Sequence, residues 1–393
     1  MNGILPPNRK HHSLTGRITL QVMYAAFRAV RKNRGAAGVD RQSIKMFEVN
    51  LEQNLIALMR DLKVRGAFQP LPARRAYIDK GSGKKRPLGI PCVRDRVAQD
   101  VLRRLLTPLF EPLFHDQSYG FRPGRSCHDA LRKVAELHEA GYRFVLDADI
   151  QGFFDNIPHD VIMRGLRNVV ADGNILDMVQ RFLTAGVLED GITYPTTVGT
   201  PQGGVLSPLL ANIALNFLDW QMDEAGFRFV RYADDFVVLC RQSHRAEEAR
   251  RLVERLVSDL GLTLSPEKTK VTKFRDGFTF LGFEITHRAR RMRAKSVEKY
   301  KDRIRELTTR SHNLDAQVLL KINAVIRGVA RYFATSFSTV TRQFRKLDEW
   351  TRVRLRSMKL KRKSVFDNWK LKNKHLRHLG LLSLSDFLPN LSQ

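Results

Sequence analysis

The chain has 393 residues, with 68 Lys and Arg against 40 Asp and Glu and a net charge of +28. That length allows two or three domains with a sizeable core, and so large a positive excess points to a polyanionic partner. Three cysteines, Cys92, Cys127 and Cys240, lack any paired spacing, which argues against a zinc motif or disulfide framework and for a reducing compartment. No apolar run reaches the roughly 18 residues of a membrane span, and Met1–His12 has no secretory signal pattern, so no membrane association is expected.

In chain order, residues 15–34 show helical spacing, with Leu20, Met23, Tyr24, Phe27 and Val30 on one face and Arg28, Arg31, Lys32 and Arg34 on the other. Gly35-Ala-Ala-Gly38-Val-Asp40 ends that helix, and a second amphipathic helix is predicted at about 47–64. Arg74–Ile78 and Arg86–Ile90 read as short strands joined by a turn through Asp79, Lys80, Gly83 and Lys84. The Gly-Ser-Gly-Lys of that turn lacks Walker spacing, but Arg74, Arg75, Lys80, Lys84 and Arg86 gather enough charge to suit a triphosphate. A helix opens near Asp95. The loop Ser118-Tyr-Gly-Phe-Arg122-Pro-Gly-Arg125-Ser126 combines arginine, glycine and aromatic residues, and fits contact with a nucleic-acid backbone.

Phe144-Val-Leu-Asp147-Ala-Asp149-Ile150 is an apolar strand in which the two aspartates share a face. Asp155, shortly before Pro158, suits a helix N-terminal position. Gln202-Gly203-Gly204 is a loop ahead of a helix at about 205–223, and its glycines let the backbone approach a ligand closely. Phe227–Cys240 reads as a hairpin with Asp234 and Asp235 at its tip. Adjacent carboxylates repel, and a divalent cation would hold them. Joined by an acid from the 144–150 strand, they could bind two Mg²⁺ about 3.5–4 Å apart, an arrangement that catalyses in-line phosphoryl transfer. Mg²⁺ takes hard oxygen ligands and keeps positions for substrate phosphates.

An amphipathic helix is predicted at 244–260, and Phe278–Ile285 alternates as a strand. From about 295 the pattern is helical, with Ile304, Leu307, Leu319, Ile322, Val325, Ile326 and Val329 supplying apolar faces. Between Arg288 and Arg377 there are 27 Lys and Arg against 7 Asp and Glu, so most of the positive excess lies in this last quarter.

Tyr232-Ala-Asp-Asp235, preceded by Thr200-Pro-Gln-Gly-Gly-Val-Leu-Ser-Pro208, resembles the palm of a reverse transcriptase in the form found in the group II intron branch. The Ser118–Ser126 string, the Lys32-Asn-Arg-Gly-Ala-Ala-Gly-Val-Asp40 run, Gly261–Val271, and the Asn323–Phe333 and Leu347–Arg356 segments resemble the same family in order, over roughly 20–385. The resemblance implies an α+β right-hand polymerase. Its parts would be an N-terminal helical extension (1–65) that helps hold template RNA, fingers (66–145), a palm (146–290) and a basic helical thumb or maturase domain (291–393).

It further implies roles for individual residues. Asp149, Asp234 and Asp235 would be catalytic and, with the carbonyl of Ile150, would hold two Mg²⁺, for which Mn²⁺ could substitute; Asp147 would be peripheral. Lys80 and Arg86 would clamp the incoming nucleotide, Gln202 and Gly203 would meet it, and Lys268 would neutralise or protonate the leaving pyrophosphate. Phe154 stands where palm-type RNA polymerases place a second Asp. A bulky ring there collides with a ribose 2′-OH and selects deoxynucleotides. Arg122, Arg125, Arg327, Arg331 and Arg354 would bind nucleic acid.

The implied function is RNA-directed DNA synthesis, together with binding of intron RNA as a splicing maturase, in the bacterial cytoplasm. The partners would be an RNA template, a DNA primer, dNTPs, and structured intron or other non-coding RNA. The family usually runs longer near 360–375, and no Cys/His endonuclease domain follows the tail here. That motivates an alternative, a domesticated enzyme of phage defence, CRISPR spacer acquisition or DNA repair. The basic thumb motivates another, a protein that is chiefly an RNA-binding splicing cofactor.

Overall fold

A computed structural model describes residues 10–79, 85–201, 203–311, 313–362 and 369–389. The expectations for Lys80, Lys84 and Gln202 therefore lie outside the described residues. The architecture is mixed α+β, as expected, and the chain divides into two compact units. One comprises residues 1–130 and 146–271, the other 131–145 and 272–393.

In the first unit, Leu20–Lys32 forms a helix whose Met23, Ala26, Phe27 and Val30 are buried, the stripe that the helical spacing predicts. Thr19 caps it by accepting from the N–H of Val22. The predicted 47–64 helix is two helices, Ile44–Val49 and Leu51–Lys63, which meet at Asn50 in a non-helical conformation. The Gly35–Gly38 loop packs tightly on the chain around the helix Val93–Phe110. A Cβ on Gly38 would lie 2.7 Å from Cys92 backbone, and Arg96 Nη2 donates to the carbonyl of Ala36 at 2.6 Å. Arg74 donates to the Ala37 carbonyl from Nε and Nη2 at 3.2 and 3.0 Å.

Two four-stranded sheets follow. One runs in the order Lys85–Ile90, Ala73–Asp79, Val187–Glu189, Ile192–Tyr194. Its first pair is antiparallel with Asp79 opposite Lys85, the hairpin that the two short cationic strands predict. The other runs in the order Arg228–Tyr232, Asp235–Cys240, Phe144–Asp149, Lys270–Lys273. Its two inner strands bury Val145, Leu146, Phe236, Val237 and Val238, near-continuous apolar runs of the kind covered on both faces. The helix Ser207–Glu224 supplies Leu210, Leu215, Leu218 and Met222 to the same core.

In the second unit, Phe278–Ile285 is not one strand. It is two, Phe278–Phe280 and Phe283–Ile285, folded back antiparallel with Phe280 opposite Phe283. Leu281 and Gly282 both have positive φ, 46° and 81°, and this turns the chain where alternation alone predicts continuation. Helices Ala294–Leu307, Ala316–Phe333 and Thr341–Lys359 follow. The terminal segment is pinned to the last two of them. Asn323 Nδ2 donates to the Gly380 carbonyl and its Oδ1 accepts from Leu382 N–H, while the Asp348 carboxylate accepts from the N–H groups of Leu384 and Ser385. Cys92 and Cys240 are buried free thiols and Cys127 is half-buried.

Candidate active site

The hairpin Arg228–Tyr232 / Asp235–Cys240 closes with Tyr232 opposite Asp235, so only Ala233 and Asp234 form its tip. The sequence places both aspartates at the tip. The structure moves Asp235 to the first position of the outgoing strand, because Ala233 turns the chain in the left-handed region (φ 59°). Asp234 is half-buried, and its carboxyl is held above the usual range by burial, with a further contribution from the charge of Asp149. Arg86 and Lys268 act in the opposite direction on the same group. Asp149, from a distant strand, and Arg86, from the cationic hairpin, thus lie within electrostatic reach of Asp234.

Asp149 is laced to the segment after Gly261. The Ser265 N–H donates to its carbonyl at 2.7 Å, the Gln151 N–H donates to the Thr263 carbonyl, and Ile150 pairs with Leu264. Neither bond uses the carbonyl of Ile150. Lys268, expected beside the leaving pyrophosphate, donates from Nζ to Asp149 Oδ2 at 2.8 Å. Burial raises Asp147 to about 6, opposed by Lys270 and reinforced by Asp149.

The oxygen donors in this region suit a hard cation. Asp149 and Asp234 repel, and an ammonium already rests against one of them. Among the described residues, no group of three or more His, Cys, Asp or Glu side chains is placed to hold a metal ion. The structure therefore brings Asp149 and Asp234 together but does not gather Asp235 into a three-acid cluster.

Phe154 lies in the short helix Phe153–Asn156, half-buried, with its ring edge-on to Phe153 at 5.3 Å and to Phe121 at 6.3 Å. Asp155 falls in the first turn of that helix. The loop carrying Gly203 is docked onto this segment. The Thr200 N–H donates to the Phe154 carbonyl at 2.7 Å, the Gly199 N–H to the Ile157 carbonyl at 2.8 Å, and buried His159 donates from Nε2 to the Gly199 carbonyl at 2.8 Å. On the far side, Gln99 Oε1 accepts from the N–H groups of Val205 and Leu206. Gly203 has φ 116° and sits so close to Gly89 that a Cβ would meet its carbonyl at 2.7 Å.

Beneath the hairpin tip lies a residue that sequence reasoning missed. Arg231 is fully buried and paired with equally buried Asp219, donating from Nε to Oδ1 at 2.7 Å. Its Nη1 also donates to Asn212 Oδ1 and to the carbonyl of Ala233, at 3.0 and 2.9 Å. Asn212 in turn donates to the Gly120 carbonyl at 2.8 Å. The backbone of Arg231 pairs with Gln117–Tyr119. The signal was available: an arginine inside an apolar strand, next to the tip, needs a buried acid.

The arginines expected on nucleic acid differ in setting. Arg122 is buried and corrects the expectation. It donates to the Glu111 carboxylate and to the carbonyls of His115 and Ser118, so it braces its own loop. Arg125 pairs with Asp116 and lies over the Tyr119 ring. In the second unit, Arg354 donates to the hydroxyl and carbonyl of Thr308. Arg327 and Arg331, four residues apart on one helix, are exposed.

Comparison with known proteins identifies the chain's relatives. Residues 78–285 match the model of the reverse transcriptase (RNA-dependent DNA polymerase) family, and residues 297–380 match the group II intron maturase-specific domain. Protein YkfC of Escherichia coli is 35% identical over 68% of this chain and 80% of its own length. The group II intron-encoded protein LtrA of Lactococcus lactis is 37% identical over 64% of this chain and 41% of its own. An uncharacterized 91 kDa protein in the cob intron of Schizosaccharomyces pombe is 34% identical over 56% of this chain and 35% of its own. The chain thus spans less than half the length of the last two. By the extent of the first match and of the similarity to YkfC, the chain belongs to the reverse transcriptase family and carries a group II intron maturase-specific domain.

Proposed function

We propose that this protein extends a DNA primer on an RNA template. The primer 3′-OH attacks the α-phosphate of a dNTP and pyrophosphate leaves. The observation that carries this reading is that Asp149 and Asp234, 85 residues apart, lie within electrostatic reach of each other, as does Arg86 of Asp234. Asp149 and Asp234 would hold Mg²⁺ (or Mn²⁺), assisted by Asp235 and the Ile150 carbonyl. When bound, Mg²⁺ supplies the charge that lowers the pKa of an attacking hydroxyl and offsets the charge of the leaving group.

The protein's own residues do the rest. Arg86, with Lys80 six residues before it in the sequence, draws the triphosphate. Phe154 presents a ring where a ribose 2′-OH would lie. Gly203 lies between Thr200, bonded to the Phe154 carbonyl, and Val205, bonded to Gln99, and would offer its backbone to the nucleotide; Gln202, outside the described residues, would join it. Lys268 is close enough to Asp149 to pass from the carboxylate to a departing phosphate. The segments 1–65, 66–145, 146–290 and 291–393 would act as extension, fingers, palm and thumb.

A second role is supported by the exposed Arg327 and Arg331 within the maturase-specific match: binding of structured intron RNA in splicing. The test is extension of a DNA primer on an RNA template with Mg²⁺ and dNTPs. Extension by the parent protein and none by Asp234→Ala supports the polymerase reading; no extension by the parent, or equal extension by both, overturns it.

A further inference from the structure

The sequence assigns the Ser118–Ser126 loop to nucleic-acid contact but gives Phe121 no role of its own, and the role inferred for it rests on the polymerase reading. Its backbone lies at φ 61°, a region that bulky L-residues avoid. The residue is 51% exposed. The conformation is imposed from both sides. Gly120 fits so tightly under the hairpin tip that a Cβ would come within 2.3 Å of Ala233 N, and its carbonyl is held by Asn212. On the other side, Arg122 Nη1 is anchored to the carbonyls of His115 and Ser118 at 2.6 and 2.8 Å.

An apolar ring left half in water on a strained backbone adds little to the core. Strain held in place by its surroundings gathers where a protein acts on something. Here the ring stands edge-on to Phe154 (6.3 Å between centroids, 74° between planes) and tilted against Tyr232 (6.4 Å, 45°). Phe154 is otherwise bordered by the Phe153 ring and by the Thr200 segment bonded to its carbonyl. Among the described residues, Phe121 is thus the ring that meets Phe154 from the Ser118–Ser126 loop, while Phe153 meets it from its own helix.

We propose that Phe121 is a specificity-determining positioning residue, which keeps the Phe154 ring in the orientation that excludes a 2′-hydroxyl. The strain at Phe121 is the cost of reaching that ring from a loop held tight under the hairpin tip.

The experiment measures single-nucleotide incorporation by the full chain on an RNA template with a DNA primer and Mg²⁺, comparing kcat/KM for dATP and ATP. The variants are Phe121→Gly, Phe154→Val and the double variant. Glycine accepts the positive φ, so Phe121→Gly keeps its fold, seen as a thermal midpoint at or above that of the parent. It should lower the deoxy-to-ribo ratio by roughly five- to twentyfold, the range expected when a pocket wall loosens, mainly through a gain with ATP. Phe154→Val should lower it further, and the double variant should match Phe154→Val alone, because both changes act on one ring. An unchanged ratio in Phe121→Gly beside a lowered one in Phe154→Val overturns this role and leaves the polymerase reading standing. Effects that multiply in the double variant also overturn it. An unchanged ratio in Phe154→Val removes the sugar-selecting assignment and this inference with it. Loss of extension in Asp234→Ala, run alongside, reports on the polymerase reading separately.

Discussion

Arg231 and Asp219 form an ion pair with both side chains at 0% exposure, directly under the turn that carries Asp234. A buried pair is a weak source of net stability but is costly to break from one side, about 3–5 kcal/mol. Arg231→Met should therefore unfold the protein at a denaturant concentration well below that of the parent. Arg231→Met/Asp219→Leu, which leaves no charge stranded, should recover most of that stability. Primer extension should stay impaired in the double variant, because the bonds from Arg231 to Ala233 and Asn212 are gone. Denaturant melts and extension rates on the same samples check both halves.

Lys268 competes for Asp149 with the Mg²⁺ that this carboxylate is proposed to hold. Lys268→Ala should lower the Mg²⁺ concentration giving half-maximal extension. It should also lower the maximal rate, by about 10²-fold if the ammonium serves the leaving group as a general acid. A Mg²⁺ titration reads both. A higher Mg²⁺ requirement would mean that Lys268 positions Asp149 for the metal instead of opposing it.

Asp95 gives the fold a pH dependence. It is 1% exposed, its Oδ2 accepts from the Leu71 N–H at 3.0 Å, and its Oδ1 has no hydrogen-bond partner. Burial pushes its carboxyl up to about 7. The unfolded chain titrates near 4, so the folded state binds the proton more tightly. Stability from this group is full below about pH 4 and is lost as pH rises through about 7, by up to roughly 4 kcal/mol. Asp95→Asn should be more stable than the parent at pH 8 by more than it is at pH 5. Thermal midpoints of the two proteins across that range decide it; a constant difference would refute the account of Asp95.

Arg327 and Arg331 present charge on one exposed helical face. RNA affinity of the parent should fall steeply with salt. Arg327→Gln/Arg331→Gln should weaken binding and flatten the log–log salt slope by about 0.7–0.9 for each phosphate that is no longer neutralised. Filter binding or anisotropy at several salt concentrations measures the slope, and an unchanged slope would remove these arginines from the interface.

Much of this arrangement is legible in the sequence because it is written locally. Apolar strands ending in acids mark 144–149 and the 228–240 hairpin, and the glycines of Gly203-Gly204 mark a close approach. What escapes is what depends on residues far apart. Arg122 reads as a solvent-facing cation in an arginine-rich loop, but Glu111 and two carbonyls enclose it. Arg231 lies inside an apolar strand and so signals a buried acid, but only the packing of helix Ser207–Glu224 identifies that acid as Asp219. Asn323 and Asp348 sit within basic motifs that suggest RNA binding, yet both bond the terminal segment. The break in Phe278–Ile285 escapes for a local reason, since Leu281 at φ 46° carries no composition signal of its own.

The polymerase reading requires Asp149 and Asp234 to work as one site. The decisive quantity is the single-turnover rate of RNA-templated primer extension at saturating Mg²⁺ for Asp149→Asn, Asp234→Asn and the double variant, each first shown to fold by thermal melting. Residues that act as a unit are strongly non-additive, so each single variant should lose nearly all activity and the double should be no worse than either. A single variant that extends primers at the parental rate, or two partial losses that multiply in the double, would contradict it.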